Sequence, residues 1–118
     1  LSGQIVVIEY RQPNYREVTA EEAARLIKAA DPLILDVRTK REFDQGHIGT
    51  ATLIPVQVLQ KNLEAISRYK NQTVFIYCAT GNRSTVASKI LIDDGFRQIV
   101  NLRHGIAEWR YKKLAVVR

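Results

Sequence analysis

Apolar residues recur along this chain in two spacings, and the alternation between them sets out the elements. Unbroken runs of β-branched, aliphatic or aromatic residues occur at Leu33-Ile34-Leu35 and at Thr73–Tyr77 (TVFIY). Such runs predict strands buried on both faces, as in the middle of a parallel sheet. Gln98–Leu102 reads as a further strand, Thr52-Leu53-Ile54 as a short one closed by Pro55, and Tyr15–Val18 as a brief one. Between these runs the apolar positions fall three and four apart: Ala23, Leu26, Ile27 and Ala30; Val56, Leu59, Leu63 and Ile66; Val86, Ala87, Ile90 and Leu91. That spacing predicts helices with one apolar face. The stretch Val56–Tyr69 reads as one helix or two short ones, and the last set as a helix running from Ser84 to Asp94.

Local signals mark the boundaries. Thr19 with Glu22, and Thr39 with Glu42, have the capping-box spacing that opens a helix. Asp31-Pro32 stops the first of these helices. Gly95 suits a left-handed C-terminal cap after Asp94, and Gly105 begins a last short helix through Trp109. Residues 4–10 (QIVVIEY) look extended and precede a loop at Pro13 and Asn14, so residues 1–14 are expected to form an N-terminal strand or arm and residues 15–118 one domain. Strands alternating with helices argue for an α/β layer structure: a mainly parallel sheet with helices on both faces.

Composition narrows the class. The chain has 118 residues, 46% hydrophobic and 25% charged, as in an ordinary globular domain with one core. No apolar run is long enough to span a bilayer. Of the net charge of +6, residues 97–118 hold +5, from six basic side chains and Glu108. The simplest reading is a solvated basic edge; attraction of a small anion or an acidic protein partner is the functional one. Nucleic-acid binding has no aromatic–basic pattern to support it. The chain begins at Leu1, so an upstream segment is open, and with it the compartment: cytoplasmic, or periplasmic or secreted if a leader was removed.

The candidate chemistry centres on Cys78, the one cysteine. It follows the strand Thr73–Tyr77 and precedes a short loop, Ala79-Thr80-Gly81-Asn82-Arg83, and then a helix. A thiol there faces backbone N–H groups and a helix N-terminus, both of which favour thiolate. In open α/β sheets ligands collect at the carboxyl ends of strands. Asp36, Cys78 and the Arg103-His104 loop all fall at such ends. One cysteine and two histidines lack metal-ligand spacing, so no metal site is expected.

Five segments in order resemble the rhodanese family: LILDVRTKREF (33–43), GHIGTATLIP (46–55), VFIYCATGNRS (74–84), DDGF (93–96) and VNLRHGIAEW (100–109). The resemblance implies a rhodanese-like fold with five strands, and sulfur transfer without a metal or organic cofactor. A sulfane sulfur from a small anion such as thiosulfate would pass through a Cys78 persulfide to cyanide or a thiol. Cys78 would be the nucleophile. Ala79, Thr80, Gly81, Asn82 and Arg83 would hold the persulfide and the donor, with Ser84 or Thr85 lending a hydroxyl. Four residues separate Cys78 from Arg83. Cysteine phosphatases use a loop one residue longer, so this spacing suits a single sulfur better than a phosphate. The alternatives are a rhodanese-like module that docks a partner with little turnover and, less favoured, a phosphatase or arsenate reductase.

The remaining residues divide by role. Asp36 is expected to brace the sheet end by an ion pair or hydrogen bonds, and Arg38 either to share in that or to attract the donor. Glu42 reads as a capping residue, His47 as a turn residue with a structural hydrogen bond, and Trp109 as core. Thr50, Leu53 and His104 depart from the family pattern of Gly, Asn and Gly. The first two bear on turn geometry, and His104 on the rim of the site.

Overall fold

In the computed structural model, which describes residues 15–118, five strands form one parallel sheet in the order β1-β5-β4-β2-β3. The strands are β1 (Tyr15–Val18), β2 (Leu33–Asp36), β3 (Thr52–Leu53), β4 (Thr73–Tyr77) and β5 (Gln98–Leu102). The helices are α1 (Ala20–Ala30), α2 (Lys40–Asp44), α3 (Val56–Leu59), a 3-10 helix (Gln60–Tyr69), α4 (Asn82–Asp93) and α5 (Gly105–Tyr111). The expected strand over residues 4–10, and with it the N-terminal arm, lies outside the described residues.

The alternation of side chains along each strand sorts the core into two layers. Leu35, Val74, Ile76 and Ile99 face α3, the 3-10 helix and α4, meeting Leu59, Leu63, Ile66, Ala87 and Leu91. Ile34, Phe75, Tyr77, Val100 and Leu102 face α1 and α5, meeting Ala20, Ala23, Ile106 and Trp109. The helices therefore cover both faces, which is why β4 reads as a continuous apolar run. Trp109 is buried in the second layer, and its indole N–H donates to the Ala115 carbonyl at 2.9 Å.

Both capping boxes form, with the Thr19 and Thr39 hydroxyls accepting from the amides of Glu22 and Glu42. Asp31 ends α1 in the left-handed region, a conformation a short acidic side chain tolerates. Past Asp94, which caps α4, Gly95 has the expected positive φ. The helical spacing after Pro55 resolves into a four-residue α-helix followed by a 3-10 helix. Asn62 interrupts it with φ −120°, its amide donating to the Val58 carbonyl at 2.7 Å. A polar side chain competing for the helix's own carbonyl explains the break, which apolar spacing alone does not reveal. Thr50 occupies an exposed turn and is not among the two described non-glycine residues with positive φ. Leu53 lies in the short edge strand, so neither departure strains the backbone.

Candidate active site

Order in the sheet brings three strand ends together. The central strand β4 delivers Cys78, its neighbour β2 delivers Asp36, and its other neighbour β5 delivers Arg103 and His104.

The loop after Cys78 is shorter than the sequence suggests. Asn82 and Arg83 already belong to the first turn of α4, and Gly81 is its N-cap at φ 110°. This places the amide-rich end of a twelve-residue helix directly against the sulfur. The Gly81 amide donates to Cys78 Sγ at 3.1 Å, and Ser84 Oγ lies 3.5 Å from the same atom. Ser84 is fully buried, its hydroxyl donating to the Gly81 carbonyl at 3.2 Å, and Thr85 Oγ1 donates to that carbonyl at 2.8 Å. Burial raises the Cys78 pKa, but bonding from the Ser84 hydroxyl and from the amides of Ser84, Gly81 and Thr80 outweighs it, and the net shift is downward.

A second helix end fixes the loop from behind. The first-turn amides of α5 donate to loop carbonyls, Ile106 N–H to Cys78 O at 2.9 Å and Ala107 N–H to Ala79 O at 3.1 Å. In a trans peptide the N–H points opposite to its C=O. Holding these two carbonyls toward α5 therefore aims the Ala79 and Thr80 amides the other way, and the Thr80 amide is among those that act on the sulfur. The approach demands glycine at two points. A Cβ on Gly105 (φ 65°) would overlap the Cys78 and Ala79 carbonyls, and one on Gly81 would overlap the Arg103 carbonyl oxygen.

The charged residues do not all stand where the sequence suggests. Arg83 forms a forked pair with Glu42, at 2.9 Å from Nη1 and 2.8 Å from Nη2. The Arg83 guanidinium lowers the Glu42 pKa to about 2, and Glu42 in turn raises that of Arg83. Glu42 is thus more than a capping residue: it ties α2 to α4 beside the cradle. Residue spacing shows only its bond to Thr39, because Arg83 is far away in sequence.

Arg38 corrects a more even expectation. It is 3% exposed, and Asp36 accepts from its Nε at 3.0 Å and its Nη2 at 2.8 Å. Nη2 also donates to the Gly46 carbonyl at 2.8 Å, and the guanidinium lies 5.5 Å from the centre of the Tyr77 ring. A residue so enclosed is not a free cation for a donor; it braces the end of β2 with Asp36. Tyr77 completes this network, donating to Asp36 at 2.7 Å and accepting from the Ile48 amide at 2.9 Å. Burial and the nearby Asp36 carboxylate push its phenol well above its usual pKa. The sequence pattern marks Tyr77 only as an apolar strand residue, because the partners of its hydroxyl, Asp36 and Ile48, are far away along the chain. His47 makes its turn contact, with Nδ1 3.1 Å from the Phe43 carbonyl and its ring stacked on Phe43 at 3.8 Å. His104 is exposed at the N-cap of α5, makes no side-chain cap bond and keeps φ at −113°, so the glycine it replaces is not needed there for backbone reasons.

Two cavities, of about 350 and 400 Å3, lie away from this site, near Arg16 and Arg97 and beside β3 respectively. The cradle is instead backbone folded closely around one sulfur atom, with Cys78 only 1% exposed.

Comparison with known proteins gives the family and the fold. The model of the rhodanese-like domain matches residues 19–112. A protein named sulfurtransferase from Allochromatium vinosum is 34% identical over 86% of this chain and 94% of its own length. The thiosulfate sulfurtransferase GlpE of Coxiella burnetii is 29% identical over 81% of this chain and 88% of its own. Among solved structures, a rhodanese-related protein from Thermoplasma volcanium superposes with a TM-score of 0.79 at 31% identity, covering 87% of this chain and 98% of that one.

Proposed function

Because the chain belongs to the rhodanese-like domain family, we propose that it is a sulfurtransferase working through a persulfide on Cys78. The observation that carries this reading is the convergence on one sulfur of the Gly81 amide, the Ser84 hydroxyl and the N-terminus of α4. These groups favour the thiolate and can equally hold the terminal sulfur of a persulfide, which carries the same single charge. In the first half-reaction the Cys78 thiolate attacks the outer sulfur of a donor such as thiosulfate. A new S–S bond forms, the donor's S–S bond breaks, and sulfite leaves with the electron pair. In the second, a thiophilic acceptor such as cyanide attacks the terminal sulfur, and Cys78 leaves as thiolate. Neither half-reaction requires a general acid, because both leaving groups depart as anions.

The relatives named sulfurtransferase support the reaction class, and the four-residue spacing to Arg83 supports sulfur over phosphate as the cargo. The test is direct. Thiosulfate should add the mass of one sulfur to the protein, and cyanide should then release thiocyanate and restore the original mass. Cys78→Ser should lose both. No adduct and no thiocyanate from the wild-type protein would overturn the reading.

A further inference from the structure

Three arginines follow the strand ends around Cys78, and two are already engaged. Arg38 is buried against Asp36, and both terminal nitrogens of Arg83 are bonded to Glu42. A guanidinium paired this way presents a weaker net field to an arriving anion, because the carboxylate beside it offsets part of its charge, although Arg83 remains close enough to interact with the Cys78 charge. Arg103 differs on each count. Its carbonyl oxygen fills the space a Cβ on residue 81 would take, so its backbone abuts the residue whose amide bonds the sulfur. Its side chain is exposed, and among the described residues it makes no ion pair and no side-chain hydrogen bond. The residues after it, Ile106 and Ala107, hold the Cys78 and Ala79 carbonyls, so Arg103 belongs to the wall that shapes the cradle.

We propose that Arg103 is the donor-recognising cation of this site, meeting the charged end of an oxyanion-bearing sulfur donor while its outer sulfur approaches Cys78. A planar guanidinium can present two N–H groups to two oxygens of such a group, which a point charge cannot do with the same fixed geometry. An exposed cation with no ion-pair partner among the described residues, on the residue whose carbonyl abuts Gly81, also concentrates anions near it at low ionic strength. The class of donor rests on the sulfur-transfer reading, whereas charge selection can be measured without any sulfur transfer.

The experiment compares alkylation of Cys78 by anionic iodoacetate and neutral iodoacetamide. With one cysteine in the chain, the ratio of the two rates reports the field at that sulfur. Arg103→Ala should lower the ratio about five-fold at low salt and Arg103→Glu further, with Arg103→Lys in between, the difference fading as salt is added. Arg97→Ala, at the other end of β5, should leave it unchanged. In steady state, Arg103→Glu should raise KM for thiosulfate and largely preserve kcat. An unchanged alkylation ratio in Arg103→Glu overturns the proposal, even if thiosulfate still loads the protein with sulfur. A shifted ratio with no sulfur adduct in the wild type supports Arg103 as the anion-recognising residue and overturns the sulfur-transfer reading instead.

Discussion

At the scale of single residues, the Cys78 sulfur is met by neutral hydrogen-bond donors, while two of the arginines at the strand ends are each held by a carboxylate. The Gly81 amide, from the short loop between the apolar strand and the helix, donates to that sulfur at 3.1 Å. Arg38 and Arg83 looked alike as basic residues near strand ends, and only the fold reveals that each has its own carboxylate. Among the described residues, the buried Ser84 hydroxyl is the one side chain within reach of Sγ that can donate to a thiolate, by turning its proton away from the Gly81 carbonyl. Ser84→Ala removes that donor and leaves the backbone amides. Its rate of alkylation by iodoacetamide near neutral pH should fall about ten-fold, the equivalent of one hydrogen bond to a charged group. The pH profile of alkylation should move upward. A profile that superposes on the wild type would show that the amides alone set the thiolate.

At the scale of elements, helix spacing and capping were readable, while contacts between distant elements were not. The Thr39–Glu42 box opens α2 as predicted, yet the same carboxylate also holds Arg83 at the start of α4. Glu42→Gln separates the two roles, because glutamine still completes a capping box but carries no charge. The sign follows from the pKa. Folding lowers that of Glu42 from about 4.5 to about 2, chiefly through the Arg83 pair. Its contribution is therefore fully present above about 4.5 and is lost as pH falls toward 2. Thermal unfolding should find the Glu42→Gln protein less stable at neutral pH, with the gap to wild type closing over that acid range. Both side chains are about one-third exposed, so added salt should narrow the gap as well. A gap that stays constant down to pH 2 would mean the pair contributes nothing through its charge.

At the scale of the molecule, the parallel sheet follows from apolar runs separated by helices, but the strand order does not. β4 stands between β5 and β2, which is what gathers three strand ends at one edge. The C-terminal tail was opaque for a related reason: Leu114–Val117 has no periodicity because it forms no regular element. It returns instead across the molecule, where the Val117 and His47 amides exchange hydrogen bonds with each other's carbonyls at 2.9 and 2.8 Å. Leu114 and Val116 pack on the core layer that holds Trp109. The tail thereby pins the segment that carries Gly46, the carbonyl partner of Arg38, and Ile48, the amide partner of Tyr77. A chain ending at Lys113 should lose about 2–4 kcal/mol in urea unfolding, from three backbone hydrogen bonds, the third being Leu114 N–H to the Trp109 carbonyl, and part of two apolar side chains. The single tryptophan reports the same event, since its indole N–H loses the Ala115 carbonyl and its ring gains solvent. Its emission should move to longer wavelength. The Cys78 loop is held from α5 and α4 rather than from the tail, so the alkylation rate of the folded protein should change little. A large fall in that rate, with stability intact, would show that the tail acts on the cradle through the 46–48 segment rather than on the core.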